Sequence, residues 1–184
     1  YGEGEPIRVE GLSADPDTLA ALRVQPVMGR GFTADDMQPK APLVVMISHH
    51  LWQTHFGSDP NVVARSIQLG NLRPMVVGVL PPGFHYPPNS ATQVVLPLKL
   101  PATAPAQRQS GWVPALGRLR AGQTIDSARA EFLALSAEFE RLYPSQNQGL
   151  QYRVESLRDS MVGDTKRPLL LLLAAVGFVL LIAC

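Results

Sequence analysis

The sequence predicts an α+β fold arranged as two lobes, followed by the start of a transmembrane helix. Three observations carry that reading. Short apolar or alternating segments of strand length are interleaved with helical ones between residues 7 and 155. Seven of the 17 prolines fall between Pro81 and Pro105, so that region is extended rather than helical. The last sixteen residues, Leu169 to Cys184, carry no charge, and a helix of that length reaches roughly 24 Å of a ~30 Å hydrocarbon core.

Ile7–Arg8–Val9–Glu10 alternates apolar and charged side chains, the period of a half-buried strand, and Gly11 is expected to end it. Asp15 is the expected N-cap of a short helix from Pro16 to Leu22. Gly29 and Gly31 around Arg30 read as a tight connection, and residues 35–42 as a solvated loop. Leu43–Ile47 is continuously apolar and strand-length, a buried strand. Ser48 caps the following helix, which carries Leu51, Trp52 and Phe56 and ends at Gly57. Ser66–Leu69 and Pro74–Leu80 form two strands around a Gly70–Asn71 turn. Pro81–Pro82–Gly83 breaks the chain before a short strand at Val94–Leu96.

Residues 101–109 are linker-like in composition, and Trp112 to Leu119 reads as a strand closed by Gly122. Thr124 then caps an amphipathic helix with apolar residues at Ile125, Ala128, Phe132, Leu135, Phe139 and Leu142, stopped by Pro144. Fewer than three heptads are present, so it is expected to pack on a sheet rather than form a coiled coil. Tyr152–Glu155 alternates like the first strand. The predicted domains are an α/β lobe from residues 1–32 and 110–160, an inserted mixed β-rich lobe from 33–109, and the start of a membrane span at 168–184.

The tail is apolar all round rather than along one stripe, and it exceeds the 10–14 residues usual for a buried core helix. It reads as a membrane span cut before its far end, which places residues 1 to about 165 against a membrane surface. A net charge of +1 provides no basic stripe, so nucleic acid is not an expected partner. The single cysteine, Cys184, lies within the apolar run, which excludes internal disulfides and argues against thiolate metal sites.

Enzymatic patterns are missing. There is no GxxxxGK[ST] phosphate loop, no HExxH helix and no GxSxG elbow. His49, His50 and His55 cluster in sequence, but His55 stands six and five residues from the other two, so neither pair has the i, i+4 spacing a metal requires. His85 sits in the proline loop, and all four are expected to be ordinary surface histidines. Asp35–Asp36 are adjacent carboxylates expected to be solvated, and Arg118 and Arg120 are expected on the solvent face of a strand. Trp52, Phe56, Phe84 and Trp112 read as core or interface aromatics. No catalytic, cofactor-binding or metal-binding residues are predicted.

Residues 76–87, VVGVLPPGFHYP, resemble the "VVGVMPPGFxxP" stretch of the MacB-like periplasmic core domain of ABC transporter permeases, the macrolide-exporter and FtsX-like superfamily. Further segments fall in that family's order. Gly29–Thr33 is similar to its "GRxFT" turn, and Ile47–Trp52 with Phe56–Gly57 to its "LSxxLWxxxFG" helix. Val94–Leu98 is similar to "vWvPL", Gly117–Gly122 to "aRLkpGvt", and Leu180–Cys184 to the "LLIAC" start of a motif in the second transmembrane helix. Val95 stands where the family usually has Trp, and Leu43–Val44 lacks some of its glycine.

The resemblance implies an extracytoplasmic domain of the bacterial inner membrane, built from a porter-like α/β lobe and a mixed insertion, preceded by a first transmembrane helix and followed by a span beginning near Pro168. It implies as partners a cytoplasmic ABC ATPase subunit or domain, a second permease in a homodimer or pair, and a periplasmic adaptor or substrate-delivery protein. The domain would transmit ATP-driven motion, for efflux or mechanotransmission, and would itself be no enzyme. Lys166 and Arg167, on the predicted outer side, run against the positive-inside tendency. The alternative is a membrane-anchored envelope sensor or adaptor without an ATPase.

Overall fold

Val44, Val45, Met46 and Ile47 are all buried, and they form the central strand of the protein's sheet. The computed structural model describes residues 7–87, 90–100, 115–160 and 171–173. Five strands make one mixed sheet: β1 (Glu10–Ala14), β2 (Met28–Gly29), β3 (Val44–Ile47), β4 (Met75–Val79) and β5 (Thr92–Pro97), in spatial order β1-β5-β3-β4-β2. A strand buried on both faces needs no alternation, which is why β3 reads as a continuous apolar run. Among the described residues, the α+β class is thus realised as one mixed sheet with helices.

Two helices flank the strands. Helix α1 (Pro16–Leu22) begins at Asp15, whose carboxylate accepts from Thr18 N at 2.7 Å and Thr18 Oγ1 at 2.6 Å. Helix α2 (His49–Phe56) begins at Ser48, whose hydroxyl accepts from Leu51 N at 3.1 Å, and Gly57 ends it in the left-handed conformation. Helix α2 connects β3 to the parallel strand β4 by way of a 3-10 turn at Pro60–Val62, the crossover that parallel strands require.

Alternation along β3 divides the core. Val44 and Met46 join Ala14, Leu19 of α1, Phe32, Val77, Leu80 and Val95 in one apolar cluster. Val45 and Ile47 join Leu51 of α2, Val62, Val76, Val79 and Val94 in the other. The two helices therefore cover opposite faces of the sheet.

Several sequence expectations are corrected. The first strand lies at Glu10–Ala14, not residues 7–10, and runs through Gly11. Its register against β5 shifts between Glu10 and Gly11, an irregularity at which glycine is favoured rather than a strand end. The turn around Gly29 contains a real strand, β2, antiparallel to β4. The Gly70–Asn71 hairpin is present, but its first arm pairs only through the isolated bridges Ser66↔Met75 and Leu69↔Leu72. Residues 112–114 of the expected strand lie outside the described residues, and 115–119 are not in a strand. The linker-like stretch 101–109 also lies outside them.

The compact units of the chain are Tyr1–Arg118 and Leu119–Cys184. Strands β1 and β2 come from segment 1–32 and β3 to β5 from 33–109, so one sheet draws on both segments.

In the second unit, Thr124 caps α3 (Ile125–Leu142) with a reciprocal capping box to Ser127. Helix α4 (Pro144–Asn147) follows directly. The Tyr152–Glu155 segment is not a strand: Tyr152 N donates to Ser136 Oγ at 3.1 Å and Arg129 Nε donates to Val154 O at 3.2 Å. Side chains of α3 therefore take the backbone groups a neighbouring strand would have taken. Tyr152 packs edge-on against Phe132 and Phe139. Among the described residues, no helix is long and apolar enough to cross a membrane. Of the predicted span 168–184, only 171–173 are described, and these are helical and exposed.

Candidate functional site

A cleft of about 510 Å³ opens at one end of the sheet. Topology makes it. The C-terminal ends of β3 and β4 and the N-terminal ends of β1 and β5 meet there, because β5 runs parallel to β1 and antiparallel to β3. Four short segments line it: Arg8 and Glu10, Ser48–His50, Pro81 with Gly83–His85, and Ala91–Gln93. Its volume lies within the range of small-ligand pockets.

Backbone bonds hold these segments in place. Leu80 N donates to Ile47 O at 2.8 Å, fixing the end of β4 to β3. Ser48 N donates to Gln93 O at 2.7 Å, tying the start of α2 to β5. Glu10 accepts from Ala91 N at 3.0 Å through Oε2, so the one carboxylate of the cleft is engaged with backbone. The 84–92 loop is closed by Thr92 Oγ1 donating to Tyr86 O at 2.6 Å and Ser90 Oγ donating to Pro87 O at 2.6 Å.

Three histidines reach the cleft. His49 and His50 occupy the first turn of α2, and the His49 ring meets Trp52 edge-on with centroids 5.2 Å apart. His85 Nδ1 lies 3.1 Å from Ser90 O. A carbonyl only accepts, so Nδ1 carries the proton and Nε2 is the nitrogen left for other partners. His55 is elsewhere, edge-on to Phe56. Helical spacing correctly separated His55 from its neighbours but gave no reason to join His85 to His49 and His50. That juxtaposition depends on β3, β4 and β5 meeting at one end of the sheet. Ser48 spends its hydroxyl on the helix cap. Among the described residues, no group of three or more His, Cys, Asp or Glu side chains could hold a metal ion.

The adjacent carboxylates Asp35 and Asp36 behave differently from the solvated pair expected. They lie in a 3-10 turn, Asp35–Met37, that leaves Asp35 exposed and buries Asp36. Arg30 grips Asp36 with both nitrogens, at 2.6 Å and 3.0 Å. Thr33 adds its N–H at 2.8 Å and its hydroxyl at 3.0 Å. The hydrogen bonds from Arg30, helped by those from Thr33 and opposed by burial, lower the carboxyl from 3.8 to about 2. A depressed carboxylate stabilises the fold above its unfolded value and loses that contribution as pH falls through the folded one. Asp36→Asn is therefore expected to cost about 1–2 kcal/mol at pH 7, discounted because the Arg30 side chain is 47% exposed. It should also flatten the loss of stability between about pH 4 and pH 2. Urea unfolding across that range checks this; an unchanged slope in the variant contradicts the assignment.

Arg118 is not on a strand face. Its guanidinium donates through Nε and Nη2 to Ala21 O in the last turn of α1, where a cation is favoured. Phe84 packs against the first core cluster, and Trp52 and Phe56 against the second. Trp112 lies outside the described residues.

The fold has a solved counterpart. A domain of a candidate permease protein from Porphyromonas gingivalis superposes with a TM-score of 0.52 at 19% sequence identity, over 77% of this chain and 64% of that one. This chain thus corresponds to about two thirds of that domain's length. No curated protein matches the sequence. The MacB-like periplasmic core domain family matches residues 1–135, from before β1 to the middle of α3. That family is a transporter permease domain rather than a class of enzyme, and this chain belongs to it.

Proposed function

We propose that this chain is the extracytoplasmic part of an ABC transporter permease that couples the ATP-driven motion of a separate cytoplasmic ATPase to efflux or mechanotransmission across the cell envelope. The family match over residues 1–135 is the observation that carries this reading. The fold, similar to that of a permease-protein domain, supports it. In this reading residues 1 to about 165 face the periplasm, and the apolar run from Leu169 enters the inner membrane. The sheet, covered by helices on both faces, would then move as a rigid body and pass displacement on rather than absorb it.

A second permease copy, or a paired permease, is the partner this role calls for, with a periplasmic adaptor or delivery protein where the role is efflux. The test is co-purification. The full-length membrane protein that contains this chain, extracted in mild detergent, is expected to carry an ABC ATPase domain or retain an ABC ATPase subunit through two chromatographic steps. Recovery of a membrane protein with neither would contradict the reading and favour an envelope sensor.

A further inference from the structure

We propose that the cleft at the end of the sheet binds an acidic peptide segment, with Arg8, His50 and His85 as its charge-reading residues. The cleft brings four groups that are or can become cationic, Arg8, His49, His50 and His85, to one opening. Against them stands one carboxylate, Glu10, whose Oε2 accepts from Ala91 N. Among the described residues, no carboxylate pairs with Arg8 within salt-bridge distance.

The arrangement favours an extended segment over a small ion. Arg8, His50 and His85 are exposed, whereas His49 and Phe84 are half-buried, so charges border a partly apolar cleft. A peptide can lay apolar atoms against Phe84 and Pro81 while its carboxylates meet the border. The loop engages one side of His85: Nδ1 lies 3.1 Å from Ser90 O, which leaves Nε2 as the ring nitrogen without that partner. A carboxylate only accepts, so this nitrogen holds it when the ring is doubly protonated. A protonated imidazole at the border attracts a carboxylate, so binding strengthens as pH falls. Arg8 adds a guanidinium to the same border, and Glu10 is the one carboxylate of the cleft.

The inference rests on the cleft alone, so its failure would leave the permease reading untouched. The full chain in neutral detergent, titrated with acetyl-tetraglutamate at low salt, is expected to bind at pH 6 and to weaken roughly five- to tenfold at pH 8. Arg8→Ala combined with His85→Ala is expected to weaken it by a similar factor at pH 6. In the unmodified chain, the imidazole proton resonances of His49, His50 and His85 should shift on titration while that of His55 stays in place. Absence of binding, equal affinity in the variant, shifts at His55 alone, or uptake of tetralysine or inorganic phosphate in place of the peptide overturns the proposal.

Discussion

Gly29→Ala is expected to destabilise the sheet by about 3–5 kcal/mol, the sum of a strained backbone and a steric clash. Gly29 has φ of +74°, where an L side chain is disfavoured. A Cβ built there would stand 2.2 Å from Val77 O and 3.0 Å from Gly78 Cα, both backbone atoms that no rotamer change can move. Its cross-strand partner is Gly78, where a Cβ would stand 2.4 Å from Arg30 O. The two glycines let β2 close on β4, with Arg30 N donating to Val77 O at 2.8 Å and Val27 N to Val79 O at 2.9 Å. Urea unfolding followed by circular dichroism measures the loss. Gly31, where a Cβ would meet nothing within 4 Å, is the control and should change stability by less than about 0.5 kcal/mol. A Gly29→Ala cost below 1 kcal/mol would show that β2 is not held as described.

Leu80→Ala is the second large effect, about 2–5 kcal/mol. Leu80 is fully buried in the cluster with Met46, Val77 and Val95, where truncation leaves a cavity that packed neighbours fill only in part. It also stands directly before Pro81–Phe84, so the loss should reach the wall of the cleft. Leu133, 60% exposed on α3, is the matched control and should lose no more than about 0.5 kcal/mol on the same change. Similar losses at the two positions would contradict the assignment of the core.

Features written in local chemistry were legible in the sequence. Asp15, Ser48 and Thr124 each cap the helix assigned to them, and Gly57 ends α2, because caps are decided within a few residues. The buried run of β3 was legible for the same reason. Features decided by distant partners were not. Strand β2 has two residues and exists through its pairing with β4. Gly11 looked like a strand end because the register shift that accommodates it lies in β5. Asp36 looked solvated because its burial depends on Arg30 folding back across the Gly31–Thr33 turn.

The cleft is the strongest case. Its residues lie in four segments from Arg8 to Gln93, and no spacing rule connects a helix start at His49 with a proline loop at His85. Family motifs fared better because they combine local chemistry with order along the chain. The segment VVGVLPPGF runs from the buried strand β4 through Leu80, whose N donates to Ile47 O, to the turn that walls the cleft.

If, as proposed, this domain moves with ATP turnover on the opposite side of the membrane, its backbone protection should change with nucleotide. Hydrogen–deuterium exchange of the full-length membrane protein with its ATPase, in lipid nanodiscs with and without ATP, tests it most directly. An ATP-dependent change in amide protection within residues 7–160, abolished when the ATPase is inactivated, is the expected result. Identical exchange across that range in both nucleotide states, while ATP is being hydrolysed, would contradict it.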